Sequence, residues 1–350
     1  MLYGARMNKQ ISLSNTEYQL ILDTKTIEIN KFLSLLKLKN IEEFNFTPFY
    51  KLFNIDTAEW TIVDCEINGD LIKIEPKQLI LDDFDTFIFD LGGTILNDNK
   101  GIEPKNLEAI NFLASKGKKI GIATAGAIFM LHWYFDKLPC NLPFLCVNGG
   151  MIHNCKTHKL ISDFVIDHDD AAKLMNKCDE LNLGYYVFWE GGIVGMNVEN
   201  SHDFKDKNYK KILKPEHWVL NPDKSFFKDK KICKIFATFD PHQENEIVKL
   251  DEYVKCFPHL FGMQTQRNFY DVGKITSKAL ALQSIASEYN IDFKRTVSFG
   301  DSNSDSLTFE STALSFAPKN SMHLAMQNAT FVSNKTSNED WLAEIIYQFK

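Results

Sequence analysis

The feature that most constrains this chain is a repeated alternation, from about residue 84 onward, of short apolar strands with amphipathic helices. That alternation is the mark of a parallel sheet covered by helices on both faces. Thr86 to Phe89 form an aromatic and β-branched run that stops at Asp90. Residues 104 to 116 place Leu107, Ile110, Leu113 and Ala114 on one helical face, with Pro104 suited to the first turn and Gly117 to the stop. Lys119 to Ala123 read as a second strand, followed by a helix carrying Met130, Leu131, Tyr134 and Phe135, and Phe144 to Val147 read as a third strand.

After Asn148, Gly149 and Gly150 the pattern changes. Strands at Tyr185 to Trp189 and Ile232 to Phe239, with helices at 169 to 182 and 241 to 256, predict an inserted α+β domain. The main sheet is expected to resume at Phe269 to Val272, with a helix over 276 to 289 and strands at Thr296 to Phe299, Leu314 to Phe316 and Thr330 to Val332. A closing helix packs Trp341, Leu342, Ile345 and Ile346. The expected fold class is α/β: a Rossmann-like, doubly wound parallel sheet built from residues 83–150 and 271–350, with the α+β insertion at 151–270.

Residues 1–82 form an N-terminal extension or small α+β domain. Ile29, Phe32, Leu33 and Leu36 fall at i, i+3, i+4 and i+7 of a helix, while Trp60 to Glu66 and Leu71 to Ile74 flank Asn68, Gly69 and Asp70 as a hairpin. No catalytic motif lies here, so the segment is expected to support the sheet laterally or to contact a protein partner.

Composition narrows the ligands. The 350 residues are 44% hydrophobic with a net charge of -7, enough chain for a large core and two or three structural units. A negative balance argues against a nucleic-acid surface, which needs clustered Lys and Arg to displace counterions; a small ligand is expected instead. The opening MLYGARMNKQ has no apolar run and no stretch of about 18 apolar residues occurs, so no signal peptide and no membrane span are expected, and the location is expected to be cytoplasmic. Seven scattered cysteines fit reduced thiols. Cys140, Cys146, His153, Cys155 and His158 are zinc-type donors, but without CxxC pairs they read as strand and turn residues.

Four segments carry chemistry. In FIFDLGGTI a strand delivers Asp90 to its carboxyl end, where open α/β sheets bind ligands, ahead of a glycine-rich turn and Thr94. Alone, DLGGT also suits the first phosphate loop of a sugar kinase of the actin and hexokinase fold, or a plain hairpin turn. In KIGIATAG, Thr124 ends a strand, and its hydroxyl with nearby backbone N–H groups such as that of Ala125 could hold a phosphoryl oxygen or simply cap a helix. In GKITSKALAL, Lys278 lies in a helix's first turn, where ammonium and helix dipole together make an anion site; the plain alternative is a surface lysine. TVSFGDSNSDSL ends a strand in Asp301, with Asp305 four residues on, hard oxygen donors suited to Mg²⁺ and without the glycine and glutamate placement of an EF-hand. Acid, hydroxyl, lysine and acidic pair in this order predict one crevice.

These segments resemble the Cof-type branch of the haloacid dehalogenase (HAD) superfamily, whose type IIB cap domain lies between the second and third motifs. LCVNGGMIHN resembles the start of that cap, and FAPKNSMHLAMQNATFVSNKTSNEDWLAEII the family's closing segment, so the likeness spans about residues 84 to 350. It implies a Mg²⁺-dependent phosphohydrolase for a small phosphorylated metabolite, with Asp90 as the nucleophile that forms an aspartyl-phosphate. Thr124 and Lys278 would hold the phosphoryl group, Asp301 would bind Mg²⁺ and Asp305 would support its shell, and the cap would close over the crevice.

One departure bears on activity. Family phosphatases carry a second Asp two residues after the nucleophile, which protonates the leaving oxygen and then activates water; here that residue is Gly92. The backbone carbonyl which that position gives to Mg²⁺ is retained, while general acid–base catalysis, worth about 10²- to 10⁴-fold, is not. Gly126 also stands where the family often has Arg, and Ser304 where it often has Asn. Three readings stay open: a slow phosphatase with a substitute acid such as Glu190 of YYVFWEGG, a substrate hydroxyl or water; an HAD-like binding or regulatory protein; and a sugar kinase, for which no second phosphate loop or adenosine site is seen.

Overall fold

A computed structural model describes residues 10–35, 50–57, 60–199, 213–266 and 268–350. It divides into two compact units, one made of residues up to 121 together with 286–350, the other of 122–285.

The first unit is built on a five-stranded sheet in the order Phe331–Val332, Leu314–Ala317, Thr296–Phe299, Thr86–Phe89, Lys119–Ile122. The first four strands pair in parallel. Such strands are covered on both faces, which is why they are short continuous apolar runs rather than alternating ones. Neighbouring strands contribute a ladder of stacked rings: Phe89 on Phe299 at 4.6 Å, Phe299 on Phe316 at 5.3 Å, and Phe316 on Phe331 at 5.2 Å. Trp341, on the closing helix Trp341–Ile346, meets Phe299 edge-on at 6.0 Å, and Phe349 does the same to Phe87 at 5.7 Å. The fold is α/β and Rossmann-like, as the strand pattern requires.

The N-terminal residues form a second five-stranded sheet, in the order Gln10–Leu13, Tyr50–Asn54, Trp60–Asn68, Leu71–Pro76, Thr26–Glu28. The hairpin turns at Gly69, whose φ of 62° suits glycine. The helix Asn15–Thr24 starts in a capping box between Ser14 and Glu17. The helix expected from Ile29 covers Ile29–Leu35; Leu36 lies outside the described residues. This sheet borders the parallel one: Trp60 stacks on Phe331 at 5.6 Å, extending the ring ladder, and Lys51 Nζ donates to the Val332 carbonyl at 3.1 Å.

The second unit holds a six-stranded sheet in the order Trp218–Leu220, Gly192–Met196, Gly184–Trp189, Ile232–Thr238, Phe269–Lys274, Leu260–Gln266. The helices His168–Glu180 and Glu244–Val254 bury Leu174, Cys178 and Leu250 against Tyr185, Val187, Ile235 and Tyr270. A three-stranded antiparallel sheet of Phe144–Cys146, Met151–His153 and Leu160–Asp163 belongs to the same unit.

Two expectations change. Phe269 to Val272 do not resume the parallel sheet: the strand Phe269–Lys274 lies antiparallel between Ile232–Thr238 and Leu260–Gln266. Its polar Asp271, paired with Lys234 of the neighbouring strand at 2.7 Å, breaks the continuous apolar run that a parallel core strand needs. The strand Phe269–Lys274 therefore belongs to the six-stranded sheet of the second unit. The helix expected to carry Met130 to Phe135 is a 3₁₀ turn, Ile128–Met130, followed by turns; Phe129, His132, Trp133, Tyr134 and Phe135 crowd the stretch with ring side chains, which lose rotamer freedom in a helix. No helix among the described residues is long and apolar enough to cross a membrane.

Lys51 gives the contact between the two sheets a pH signature. Burial pushes its ammonium down from 10.5 to about 8, although its Nζ lies 5.0 Å from the Phe53 ring and 5.5 Å from the Trp60 ring. Between these values the unfolded chain binds a proton that the folded one has lost, so stability rises with pH over that window. Denaturant unfolding between about pH 8 and about pH 10 should show the unmodified protein gaining stability relative to Lys51→Met. A difference independent of pH would count against a buried, titrating Lys51.

Candidate active site

The acidic centre is set by strand register. Phe89 pairs with Phe299 in parallel, and Asp90 N–H donates to the Phe299 carbonyl at 2.8 Å, so the residues that follow these strands emerge side by side. Asp90 is 5% exposed. The chain then turns tightly: Leu96 N–H donates to Leu91 O at 2.8 Å and Gly93 N–H to Leu96 O at 3.1 Å. Trp341 Nε1 secures the turn by donating to the Thr94 carbonyl at 2.9 Å, and Thr94 Oγ1 donates to Asp301 Oδ1 at 2.9 Å.

Asp305 organises the other loop. Its Oδ2 accepts from Asp301 N at 3.2 Å, Ser302 N at 2.9 Å and Ser302 Oγ at 2.8 Å, a capping box at the start of the helical segment. Ser304, where an Asn was the family's usual residue, shares a hydrogen bond with Ser302 Oγ at 2.8 Å. Gly300 has to be glycine, since a Cβ there would lie 2.4 Å from Asp305 Cγ.

Asp90, Asp301 and Asp305 each bring a carboxylate oxygen to within 4.8 Å of the others, with Asp90 and Asp305 buried. Like charges this close in a desolvated place repel strongly, and a cation offsets the repulsion. The donors are all hard oxygens, as Mg²⁺ requires. The residues present thus fit the ion, with Asp90, Asp301 and Asp305 as carboxylate donors. Gly92 lacks a left-handed φ, and a Cβ added to it would meet nothing within 4 Å, so an aspartate can occupy this position without strain.

Thr124, Ala125 and Lys278 belong to the second unit. Thr124 is 5% exposed; its N–H donates to Leu145 O at 2.8 Å, its carbonyl accepts from Asn148 N–H at 2.9 Å and its Oγ1 accepts from Gly126 N–H at 3.1 Å. Lys278 opens the helix Lys278–Ala286 and is 1% exposed, which removes the surface-lysine reading. The two meet through the turn at 147–150. Gly149, at φ 91°, would place a Cβ 2.4 Å from the Ser277 carbonyl, so only glycine lets this turn approach the helix start. The sequence reading missed Asn148: it sits in that turn at φ 54°, and its buried Oδ1 has no hydrogen-bond partner among the described residues. The VNGG run was the available signal, read only as the start of the insertion.

Glu190 follows the strand Gly184–Trp189 and is half-buried; its Oε2 accepts from Lys231 N–H at 2.6 Å. The zinc-type donors do not gather: among the described residues the close donor groups are the carboxylates above and Asp167, Asp170 and His259. His153 instead bonds the His158 carbonyl through Nδ1 at 3.1 Å, and burial pushes the Cys146 thiol up. In the Asp167 group the carboxylates pair with Lys173 and Lys274 as well as His259, forming an ion-pair network.

Gly93 offers a direct test of the acidic centre. Its φ is 81°, and a Cβ would lie 2.5 Å from Asp301 Oδ2. Gly93→Ala should therefore lower stability by about 1–3 kcal/mol through backbone strain and weaken Mg²⁺ binding by displacing Asp301. Calorimetric titration with Mg²⁺ checks this; unchanged affinity would mean that Asp301 is not held by that contact.

Comparison with known proteins agrees with this geometry. Residues 87–346 match the family pattern of haloacid dehalogenase-like hydrolases. The chain is 24% identical to a 5-amino-6-(5-phospho-D-ribitylamino)uracil phosphatase of Bacillus subtilis, over 74% of this chain and 96% of the relative. It is 20% identical to a pyridoxal phosphate phosphatase of Escherichia coli, with the same shares covered. Among solved structures, a Thermotoga maritima protein superposes with a TM-score of 0.66 at 19% identity, over 76% of this chain and 98% of the other. A HAD subclass IIB sugar phosphatase superposes with a TM-score of 0.62 at 18% identity, over 75% and 98%. With the pattern matched across most of its length, the chain belongs to the haloacid dehalogenase-like hydrolases.

Proposed function

We propose that the chain is a Mg²⁺-dependent phosphatase for a small phosphorylated metabolite, acting through an aspartyl-phosphate on Asp90. The observation that carries this reading is the close group of Asp90, Asp301 and Asp305 carboxylates, two of which directly follow or closely follow adjacent parallel strands. Relatives named for small phosphate esters support the substrate class, and the two described above are named for esters that carry a single heteroaromatic ring. The free cysteines fit a reducing compartment such as the cytoplasm.

In this reading Asp90, the Gly92 carbonyl, Asp301 and Asp305 would hold Mg²⁺, which would supply charge stabilisation for the phosphoryl oxygens. Thr124 Oγ1, the Ala125 N–H and the Lys278 ammonium are the groups suited to holding the phosphoryl oxygens. An Asp90 oxygen attacks phosphorus, and the bond from phosphorus to the ester oxygen breaks. That oxygen takes its proton from water, from a substrate hydroxyl or from Glu190, since Gly92 has none to give. Water then attacks phosphorus, inorganic phosphate leaves and the Asp90 carboxylate is restored.

The decisive substitution is Gly92→Asp, for which there is room. It should raise turnover of 4-nitrophenyl phosphate on the order of 10²-fold, while Asp90→Asn should abolish turnover in either background. If the unmodified protein turns over briskly and Gly92→Asp adds nothing, Glu190→Gln should lose activity. If all forms are inert although Mg²⁺ and phosphate bind, the chain is a ligand-binding member of its family.

A further inference from the structure

The second unit contains a cavity of about 200 Å³ that the phosphatase reading does not use. Three short segments meet around it. Phe129, His132 and Phe135 come from the 3₁₀ turn Ile128–Met130 and the turns after it, His158 from the turn between the strands Met151–His153 and Leu160–Asp163, and Lys214 and His217 from the segment ahead of the strand Trp218–Leu220. Phe135 and His158 pack on Phe144 at 5.4 and 6.2 Å, and Phe144 is the first residue of the strand Phe144–Cys146. Thr124 instead bonds Leu145 and Asn148, towards and beyond the carboxyl end of that strand. This part of the cavity wall is therefore set apart from the groups suited to a phosphoryl oxygen.

The polar groups specify a guest. Lys214 brings an ammonium, and no carboxylate among the described residues lines the cavity. A recess with charge of one sign attracts the opposite charge, here an anion. His217 Nδ1 donates to the Gly191 carbonyl at 2.5 Å and His132 Nδ1 to the Phe129 carbonyl at 3.0 Å. A carbonyl can only accept, so each Nδ1 carries a proton, and Nε2 of the neutral ring is an acceptor. One cation and two acceptors match a guest with one negative charge and a hydroxyl or N–H donor. A phosphate dianion would set its oxygens against the imidazole lone pairs.

The walls are flat and held in place. Phe129 stacks on the His217 ring at 5.2 Å with 23° between planes, and Phe135 on the His158 ring at 3.8 Å with 21°. Each ring is fixed by a partner before a guest arrives, and aromatic walls prepared in this way favour planar guests through stacking. A volume below the about 300–1,000 Å³ of drug-sized pockets limits the guest to one ring with small substituents.

We infer that this cavity is a second ligand site, distinct from the acidic centre, for a single-ring aromatic carboxylate that carries a ring hydroxyl or N–H. The carboxylate meets Lys214, the ring lies against the aromatic walls, and the donor reaches Nε2 of His132 or His217. The inference goes beyond the phosphatase reading and does not depend on it. A guest in this place ties together three segments that are far apart in the sequence, so its binding stabilises the folded second unit.

Calorimetry on the full chain tests this with 4-hydroxybenzoate as the probe, at about pH 8, on the alkaline side of the ordinary imidazole range. The probe should bind with a Kd on the order of 1 mM or below. It should bind about tenfold more tightly than trans-4-hydroxycyclohexanecarboxylate, which lacks the flat ring, or 4-hydroxybenzyl alcohol, which lacks the charge. Lys214 is exposed, so its replacement leaves the fold intact. Lys214→Met should weaken binding about fivefold and Lys214→Arg should not, while Phe135→Leu should remove the preference for the flat ring. Mg²⁺ with inorganic phosphate, or Asp90→Asn, should leave the affinity unchanged. Failure to bind, equal affinity for the two carboxylates, unchanged binding in Lys214→Met, or displacement by inorganic phosphate would overturn the inference, whatever the activity toward phosphate esters.

Discussion

The parallel register of Phe89 against Phe299 is the constraint on which the site depends. The two rings stack nearly face to face at 4.6 Å with 8° between planes, and the ladder continues through Phe316 and Phe331 to Trp60 of the N-terminal sheet. A slip of one residue would turn every ring to the opposite face of the sheet. It would also separate Asp90 from Asp301, since both are placed by counting from those two phenylalanines. A large, poorly compressible aromatic core is therefore what holds mutually repelling carboxylates together before any ion binds.

Around that register, glycines and small polar residues do the fine placement. Gly93 and Gly300 let the two loops come close enough for Asp301 and Asp305 to occupy the space their side chains would fill. Thr94, Ser302 and the backbone N–H groups then fix the carboxylates by hydrogen bonds. In the second unit Gly149 has the same role, bringing the 147–150 turn against the start of the Lys278 helix. Gly92 differs from these: no neighbour forbids a side chain there. The missing acid is thus a property of chemistry and not of packing.

Much of this was legible in the sequence because parallel core strands leave a simple mark. Thr86–Phe89 and Thr296–Phe299 were found residue for residue; Asp90 follows the first directly and Asp301 follows the second after Gly300. Phe269–Lys274 was misassigned because a short apolar run can belong to either sheet, and only its Asp271 to Lys234 pairing, a contact between distant residues, decides the matter. The Met130 to Phe135 stretch has helical spacing, but its run of ring side chains has low helix propensity and folds as a 3₁₀ turn and turns. Asn148 was missed because the VNGG run was read only as the start of the insertion, and the unpaired state of its buried Oδ1 among the described residues shows only in the fold.

In the reading proposed above, Asp90 itself carries the phosphoryl group. With no aspartate at position 92 to activate water, the aspartyl-phosphate should break down slowly and accumulate when the leaving group needs no acid. The unmodified protein, mixed with Mg²⁺ and acetyl phosphate, quenched in acid and reduced with borohydride, can be read by peptide mass spectrometry. The expected result is conversion of Asp90 to homoserine, with phosphate lost in the reduction, and no such product in Asp90→Asn. Phosphate release from a preparation in which Asp90 stays unmodified and another residue carries the label would contradict it.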